Sequence, residues 1–376
     1  MEYLHGGDIY SDGKIRLDFS VNTSPLGMPE SIRQAVINSS GSWERYPDSR
    51  SRSLKSALAD YYGGRIPKDA FICGNGSADL MYTLIFALRP ERALVPVPAF
   101  AEYQMALGAG GCLAKPILLE ESTGFSLEKN KEKLMEHIRK SSGIDMMMLG
   151  NPVNPCGSAA GREWIEEMAG LCREKEIFLV IDECFNWFLK ERQHFSAIPL
   201  ITEEPEKYRH VMVINAFTKI YAMAGLRFGY AVCTDREVIR RMERCRQPWS
   251  VSAPAEAAAM AALTVRGEAE KTAELVETER CFLTENLAGL GFTVYPSMVN
   301  YLLFRADTDF DYRAFCRERG ILIRSCGNFE GLDGRYYRVT VKQRKENREL
   351  LKCLKEASAH ERKQSQGNGE LWQKQL

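Results

Sequence analysis

Short, almost continuously apolar runs alternate with stretches in which apolar residues recur every three or four positions. RALVPV (92–97), DMMMLG (145–150), IFLVID (177–182), VMVINA (211–216) and FGYAVC (228–233) read as strands buried on both faces, as parallel strands are. Between them SADLMYTLIFAL (77–88) and GREWIEEMAGLCREKE (161–176) carry helical spacing. This alternation predicts an α/β sheet with helices on both faces. From Pro254 the pattern changes to one long alanine-rich helical stretch reaching about residue 290, bent near Gly267. TVYPSMVNYLLFRAD, a helix near 309–319, ILIRSC, YYRVTVK and a closing helix follow, which predicts a smaller α+β unit. The expected division is a large domain over 41–250, a small domain built from both chain ends (1–40 and 251–360), and a polar tail over 361–376.

Composition narrows the picture. The 376 residues carry no formal net charge and are 45% hydrophobic, as in an ordinary globular protein. No run approaches the roughly 18 apolar residues of a membrane span. The start, MEYLHGGDIYSDGK, lacks the basic and apolar regions of a secretory signal, so a cytoplasmic enzyme is expected, with no membrane partner. Balanced charge argues against a nucleic-acid partner. The eleven cysteines are odd in number and contain no Cys-x-x-Cys pair, which predicts reduced thiols used as small hydrophobes. Five scattered histidines predict no metal site.

Notable residues fall at the ends of the expected strands, where open α/β sheets bind ligands. Asp182 ends IFLVID, Asn154 follows DMMMLG, Phe100 follows RALVPV, and Lys219 follows VMVINA. GNGSADL (74–80) is a glycine-rich turn, with Gly76 in it, that opens a helix, so the backbone N–H groups of Ser77 and Ala78 would face an anion. Each residue alone reads more simply: Asp182 as a helix cap, Phe100 as core, Asn154 as a turn, Arg227 as a surface ion pair. Together, an amine, an anion cradle, an aromatic plate and a buried acid fit pyridoxal 5′-phosphate. Burial of Lys219 in NAFTKIYAMAGLRFGYAV would favour its neutral, nucleophilic amine. Arg227 would bond the cofactor phosphate.

From about residue 5 to 356 the chain resembles the fold-type I pyridoxal-phosphate enzymes, the aspartate aminotransferase superfamily. GNGSADL, PAFAEY, NPVNPCG, IDECF, FTKIYAMAGLRFGY and YYRVTV carry the resemblance in the family's order. It implies a large domain with a mostly parallel seven-stranded sheet plus a small α+β domain. It also implies roles. Ser77, Ala78, Thr218 and Arg227 hold phosphate, Phe100 stacks on the ring, and Asn154 bonds the ring hydroxyl. Asp182 pairs the ring nitrogen, Lys219 is the Schiff-base lysine, and Arg338 clamps the substrate carboxylate. Tyr46, in RYPD, would reach the phosphate of a neighbouring subunit, which implies a homodimer with shared active sites.

Two subgroups are similar: the L-threonine-O-3-phosphate decarboxylases of cobalamin synthesis, and the histidinol-phosphate aminotransferases. HGG (5–7), DFSVNTSPLGMP (18–29), RQPWSVSAP (246–254) and ILIRSCGNFEGLDGRYYRV resemble the decarboxylases, as does Phe185 where many aminotransferases have tyrosine. This implies that His5, Gly6, Asn22, Asn154 and Arg324 meet a small phosphorylated amino acid, with His5 and Arg324 on its phosphate. The implied reaction converts L-threonine O-3-phosphate to (R)-1-amino-2-propanol O-2-phosphate. The alternatives are amino transfer to 2-oxoglutarate, and a non-catalytic cofactor-binding regulator that intact Lys219 and Asp182 disfavour. Asp8, Ser24, Cys156, Cys184, Asn186–Trp187 and Ala216 depart from the usual motifs, and all are expected close to the site.

Overall fold

The computed structural model describes residues 5–10 and 14–373, with side chains up to residue 363; the last three residues of the polar tail lie outside the described residues. Seven strands form the large sheet, in the order Phe71–Gly74, Gly229–Val232, Val211–Asn215, Phe178–Asp182, Met146–Gly150, Arg92–Val97 and Leu113–Leu118. The five strands from Val211–Asn215 to Leu113–Leu118 run parallel. Gly229–Val232 is antiparallel to both its neighbours. Its apolar run reflects burial on both faces, not a parallel orientation. The segment that returns the chain to it contains only the short 3-10 turn Ala224–Leu226, without a crossover helix.

Two strands escape the apolar-run reading. Leu113–Leu118 is an edge strand, largely exposed and containing Pro116, so it needs no continuous apolar run. Phe71–Gly74 is only four residues long and merges into the glycine-rich turn. The expected long helix is two helices, Ala253–Thr264 and Glu268–Gly289, separated where Gly267 takes φ +77°.

The sheet separates two hydrophobic cores. One packs Leu149, Leu179, Ile181, Val213 and Tyr230, and draws Ala255, Ala258 and Ala262 from the helix Ala253–Thr264. The other packs Val95, Met148, Val180, Met212 and Ala231 against the helix Gly76–Leu88. A third core joins Phe19, near the N-terminus, to residues from Leu283 to Ala357. Over it lies a four-stranded antiparallel sheet in the order Arg324–Ser325, Tyr336–Thr340, Tyr301–Arg305, Thr293–Val294. Leu17–Asp18 pairs in parallel with Ile321–Leu322, tying the N-terminal segment to this unit. The closing helix spans Arg344–Gln373. The parallel strands bring Val97, Gly150, Asp182 and Asn215 to one edge of the large sheet, and the small sheet supplies the facing wall.

Candidate active site

Lys219 follows the strand Val211–Asn215 and reaches into a cavity that Asp182 also lines. Burial pushes its ammonium below the usual lysine range; nearby Cys184 opposes the shift, and the charges of Arg338 and Arg227 add to it. Ser24 N–H donates to the Lys219 carbonyl at 2.8 Å, which fixes the backbone beneath the amine. Asp182 is buried at the end of its strand. Burial pushes its carboxyl up, while hydrogen bonds from Cys184 and Tyr103 pull it down. Tyr103 Oη donates to Asp182 Oδ2 at 2.9 Å, and Cys184 N–H donates to Oδ1 at 3.0 Å. Gly150 makes this possible, since a Cβ there would stand 2.9 Å from Tyr103 Oη. The Phe100 ring lies 5.8 Å from that of Tyr103, edge to face.

The helix Gly76–Leu88 points its N-terminus at the same cavity, bringing Ser77 and Ala78 to the lining. Gly76 sits just behind, at φ +85°, where a Cβ would be 2.4 Å from Arg227 Nη2. A Cβ on Gly229 would be 2.5 Å from Ser77 N. Only glycine at both positions lets the helix end and the Arg227 guanidinium approach each other. Arg227 donates to the Ala224 carbonyl at 3.0 Å, and Thr218 lines the cavity beside it. These donors around a helix N-terminus would hold a phosphate.

The opposite wall is cationic. Arg324 and Arg338 occupy paired positions on adjacent antiparallel strands, 7% and 6% exposed. Arg338 donates to Asn154 Oδ1, and to the Ser20 carbonyl at 2.9 Å. Its Nε is buried without a partner, as is Asn22 Oδ1. Arg324 donates to Asn328 Oδ1 at 2.8 Å and lies 5.5 Å from the Phe329 ring. His5 Nε2 stands 2.8 Å from Glu102 Oε1 at the cavity mouth. Gly6 packs so tightly that a Cβ would be 2.3 Å from the Ser20 carbonyl oxygen.

One cavity therefore gathers His5, Gly6, Asn22, Ser77, Ala78, Phe100, Asn154, Asp182, Thr218, Lys219, Arg227, Arg324 and Arg338. Tyr46 lies outside it, 80% exposed and stacked on Trp249 at 4.4 Å between ring centroids. The expectation that all the motif departures crowd the site is corrected. Cys184 does line the cavity, and burial holds its thiol well above the usual range, hence neutral. Asp8 instead faces Arg317 at 3.5 Å. Cys156 is fully enclosed in the first core. Ala216 is likewise enclosed. Asn186 bonds the Arg192 and Phe195 carbonyls, and Trp187 bonds Asn215. Residues not singled out beforehand also take part: Tyr103 behind Asp182, Glu102 behind His5, and Ser20 and Phe329 in the lining. Only Tyr103 had a local signal, one helical turn after Phe100 in PAFAEY.

Among the described residues, no helix is long and apolar enough to cross a membrane, and no group of three His, Cys, Asp or Glu could hold a metal ion. An amine of lowered basicity, a buried carboxyl, an aromatic plate and a glycine-dependent phosphate cradle around one cavity suit pyridoxal 5′-phosphate. The fold and site define a pyridoxal-phosphate-dependent enzyme with an aspartate-aminotransferase-like architecture. The family model of the class I and II aminotransferases matches residues 14–354, and the chain belongs to that family. A threonine-phosphate decarboxylase of Salmonella typhimurium is 35% identical over 360 residues, covering 93% of this chain and 95% of the relative. Histidinol-phosphate aminotransferase 1 of Cupriavidus pinatubonensis is 31% identical, covering 89% of this chain and 86% of the relative. The solved histidinol-phosphate aminotransferase of Clostridium acetobutylicum superimposes with a TM-score of 0.82 at 28% identity, covering 92% of this chain and 99% of that one.

Proposed function

We propose that this enzyme decarboxylates L-threonine O-3-phosphate, releasing CO2 and (R)-1-amino-2-propanol O-2-phosphate. The observation that carries the reading is the pair of buried arginines, Arg324 and Arg338, at paired positions on adjacent strands of the cavity wall. Both arginines line the cavity, and a substrate with two anionic ends, a carboxylate and a phosphate, would give each guanidinium a charge-assisted partner. The 35% identity to a relative named threonine-phosphate decarboxylase supports the choice.

Bound in the cavity, pyridoxal 5′-phosphate would supply an aldehyde that takes up the substrate amine and a ring that draws electrons from whichever Cα bond stands perpendicular to it. The chain does the rest. The helix N-terminus at Ser77 and Ala78, with Thr218 and Arg227, would hold the cofactor phosphate. Asp182, accepting hydrogen bonds from Tyr103 and Cys184 N–H, would hold a proton on the ring nitrogen. Phe100 would cover one ring face, and Asn154 would bond the ring hydroxyl. Lys219, its amine made less basic by burial, would anchor the aldehyde and later return a proton at Cα. Arg338 would grip the carboxylate, and Arg324 with His5 the distal phosphate, so that these two grips set the rotation about Cα. Gly6 and Asn22 complete the substrate wall.

Aminotransferase relatives of about the same length keep amino transfer as the second reading. A homodimer with shared sites is part of the proposal. It is supported by the exposed Tyr46–Trp249 stack, an apolar patch suited to a second copy. Work in a reducing cytoplasm is supported by eleven cysteines that are all free. The reading is tested by supplying the cofactor-loaded enzyme with O-phospho-L-threonine and with L-threonine. CO2 is expected from the first and essentially none from the second; equal turnover of both would reject the phosphate grip.

A further inference from the structure

Three consecutive residues early in the helix Ala101–Ala109 make three different contacts around the cavity. Tyr103 donates to Asp182. Gln104 donates to Glu330, in the same loop as Asn328 and Phe329, which flank Arg324. Glu102 takes the third direction. Its Oε1 stands 2.8 Å from His5 Nε2, and Tyr82 Oη donates to its Oε2 at 3.2 Å. The Glu102 side chain is only 13% exposed, while that of His5 is 48% exposed. Behind His5 the backbone is pressed onto Ser20: Gly7 N–H donates to Ser20 Oγ at 2.7 Å, and Gly6 leaves no room for a Cβ. The His5–Glu102 pair thus crosses the cavity mouth, joining the N-terminal strap to the helix Ala101–Ala109.

We propose that Glu102 is a positioning residue for the phosphate end of the substrate. Its carboxylate, steadied by Tyr82, holds His5 at the mouth of the cavity that Arg324 also lines. This rests on the phosphorylated-substrate reading above. A half-exposed pair adds little to global stability. It suffices to keep one imidazole in one place, because the strap it tethers is short and already lies close against Ser20. The cost of losing it falls on ligand binding at the distal end, not on folding, cofactor loading or the bond-breaking step.

The test compares wild-type, Glu102→Ala and Glu102→Gln enzymes, each loaded with cofactor. Hydrogen exchange at the Gly7 amide reads the strap itself. KM for O-phospho-L-threonine and the inhibition constant of inorganic phosphate read the distal end. In Glu102→Ala the strap is expected to exchange about three- to fivefold faster, with both constants rising about three- to fivefold. kcat and cofactor absorbance stay within about twofold of wild type, since the residue touches neither the reacting bond nor the ring. Glu102→Gln, which keeps a hydrogen bond to His5, restores most of the loss. Unchanged strap exchange in Glu102→Ala overturns the latch. Faster exchange with unchanged KM and phosphate inhibition overturns its positioning purpose. A wild-type enzyme that ignores both phosphate ligands sinks the substrate reading, and the positioning purpose with it, while the exchange result still judges the latch.

Discussion

Arg324 and Arg338 stand directly opposite each other across two antiparallel strands, both almost wholly enclosed. Both line the cavity, and Arg324 is the residue proposed to bond the substrate phosphate. Replacing Arg324 with methionine, of similar reach and no charge, should weaken O-phospho-L-threonine at least about tenfold, because a charge-assisted phosphate contact is lost. Cofactor loading should be untouched. Thermal shift assays with and without the ligand check this; wild-type ligand stabilisation in the variant would contradict the assignment.

Lys219 is expected to be the attachment point of the cofactor. Borohydride reduction of the loaded wild type should add the cofactor's mass to the peptide containing Lys219. Lys219→Ala should show no such increase and should lose turnover by roughly a thousandfold or more. A reduced adduct found on another lysine would move the site.

Tyr103→Phe removes one of the hydrogen bonds that pull the Asp182 carboxyl down against burial. The ring fits the same buried space, so the fold should hold. The Asp182 carboxyl should then rise further, weakening its hold on a ring-nitrogen proton. Turnover is expected to fall roughly tenfold, with cofactor affinity changing much less. Steady-state rates alongside cofactor titration separate the two effects.

Glu183, next to Asp182, points away from the cavity and accepts hydrogen bonds from Ser196 Oγ at 2.6 Å and Ala197 N–H at 2.7 Å. Burial nevertheless pushes its carboxyl up from an ordinary 4.5 to about 7. The folded chain thus keeps this proton to higher pH than the unfolded chain. The stability it contributes is full below about pH 4.5 and is lost as pH rises through about 7. Glu183→Gln should flatten the decline of the thermal midpoint between roughly pH 5 and 8. An equally steep decline in the variant would show that other groups set it.

Much of this was legible in the sequence for identifiable reasons. Strands buried on both faces must be apolar throughout, so their ends could be marked, and their ends are where Phe100, Asn154, Asp182 and Lys219 lie. The edge strand Leu113–Leu118 faces solvent and carries no such signal. The antiparallel turn of Gly229–Val232 depends on the connection before it, not on its composition. Pairings such as His5 with Glu102 join residues 97 positions apart and become visible only once the chain is folded. Neighbourhood in sequence also misled: Asn186 and Trp187 follow Asp182 closely, yet the 3-10 turn Asn186–Phe188 directs them to Arg192, Phe195 and Asn215. Tyr46 packs on Trp249 away from the cavity of its own chain, so a motif alone could not show which site it serves.

The most direct measurement supplies the cofactor-loaded enzyme with carboxyl-labelled O-phospho-L-threonine and 2-oxoglutarate in one vessel, and counts labelled CO2 against glutamate. The two-grip account predicts labelled CO2 and the amino-alcohol phosphate, with glutamate absent. Glutamate without CO2, from this substrate or from histidinol phosphate, would show that the arginines present the Cα–H bond instead, and would contradict it.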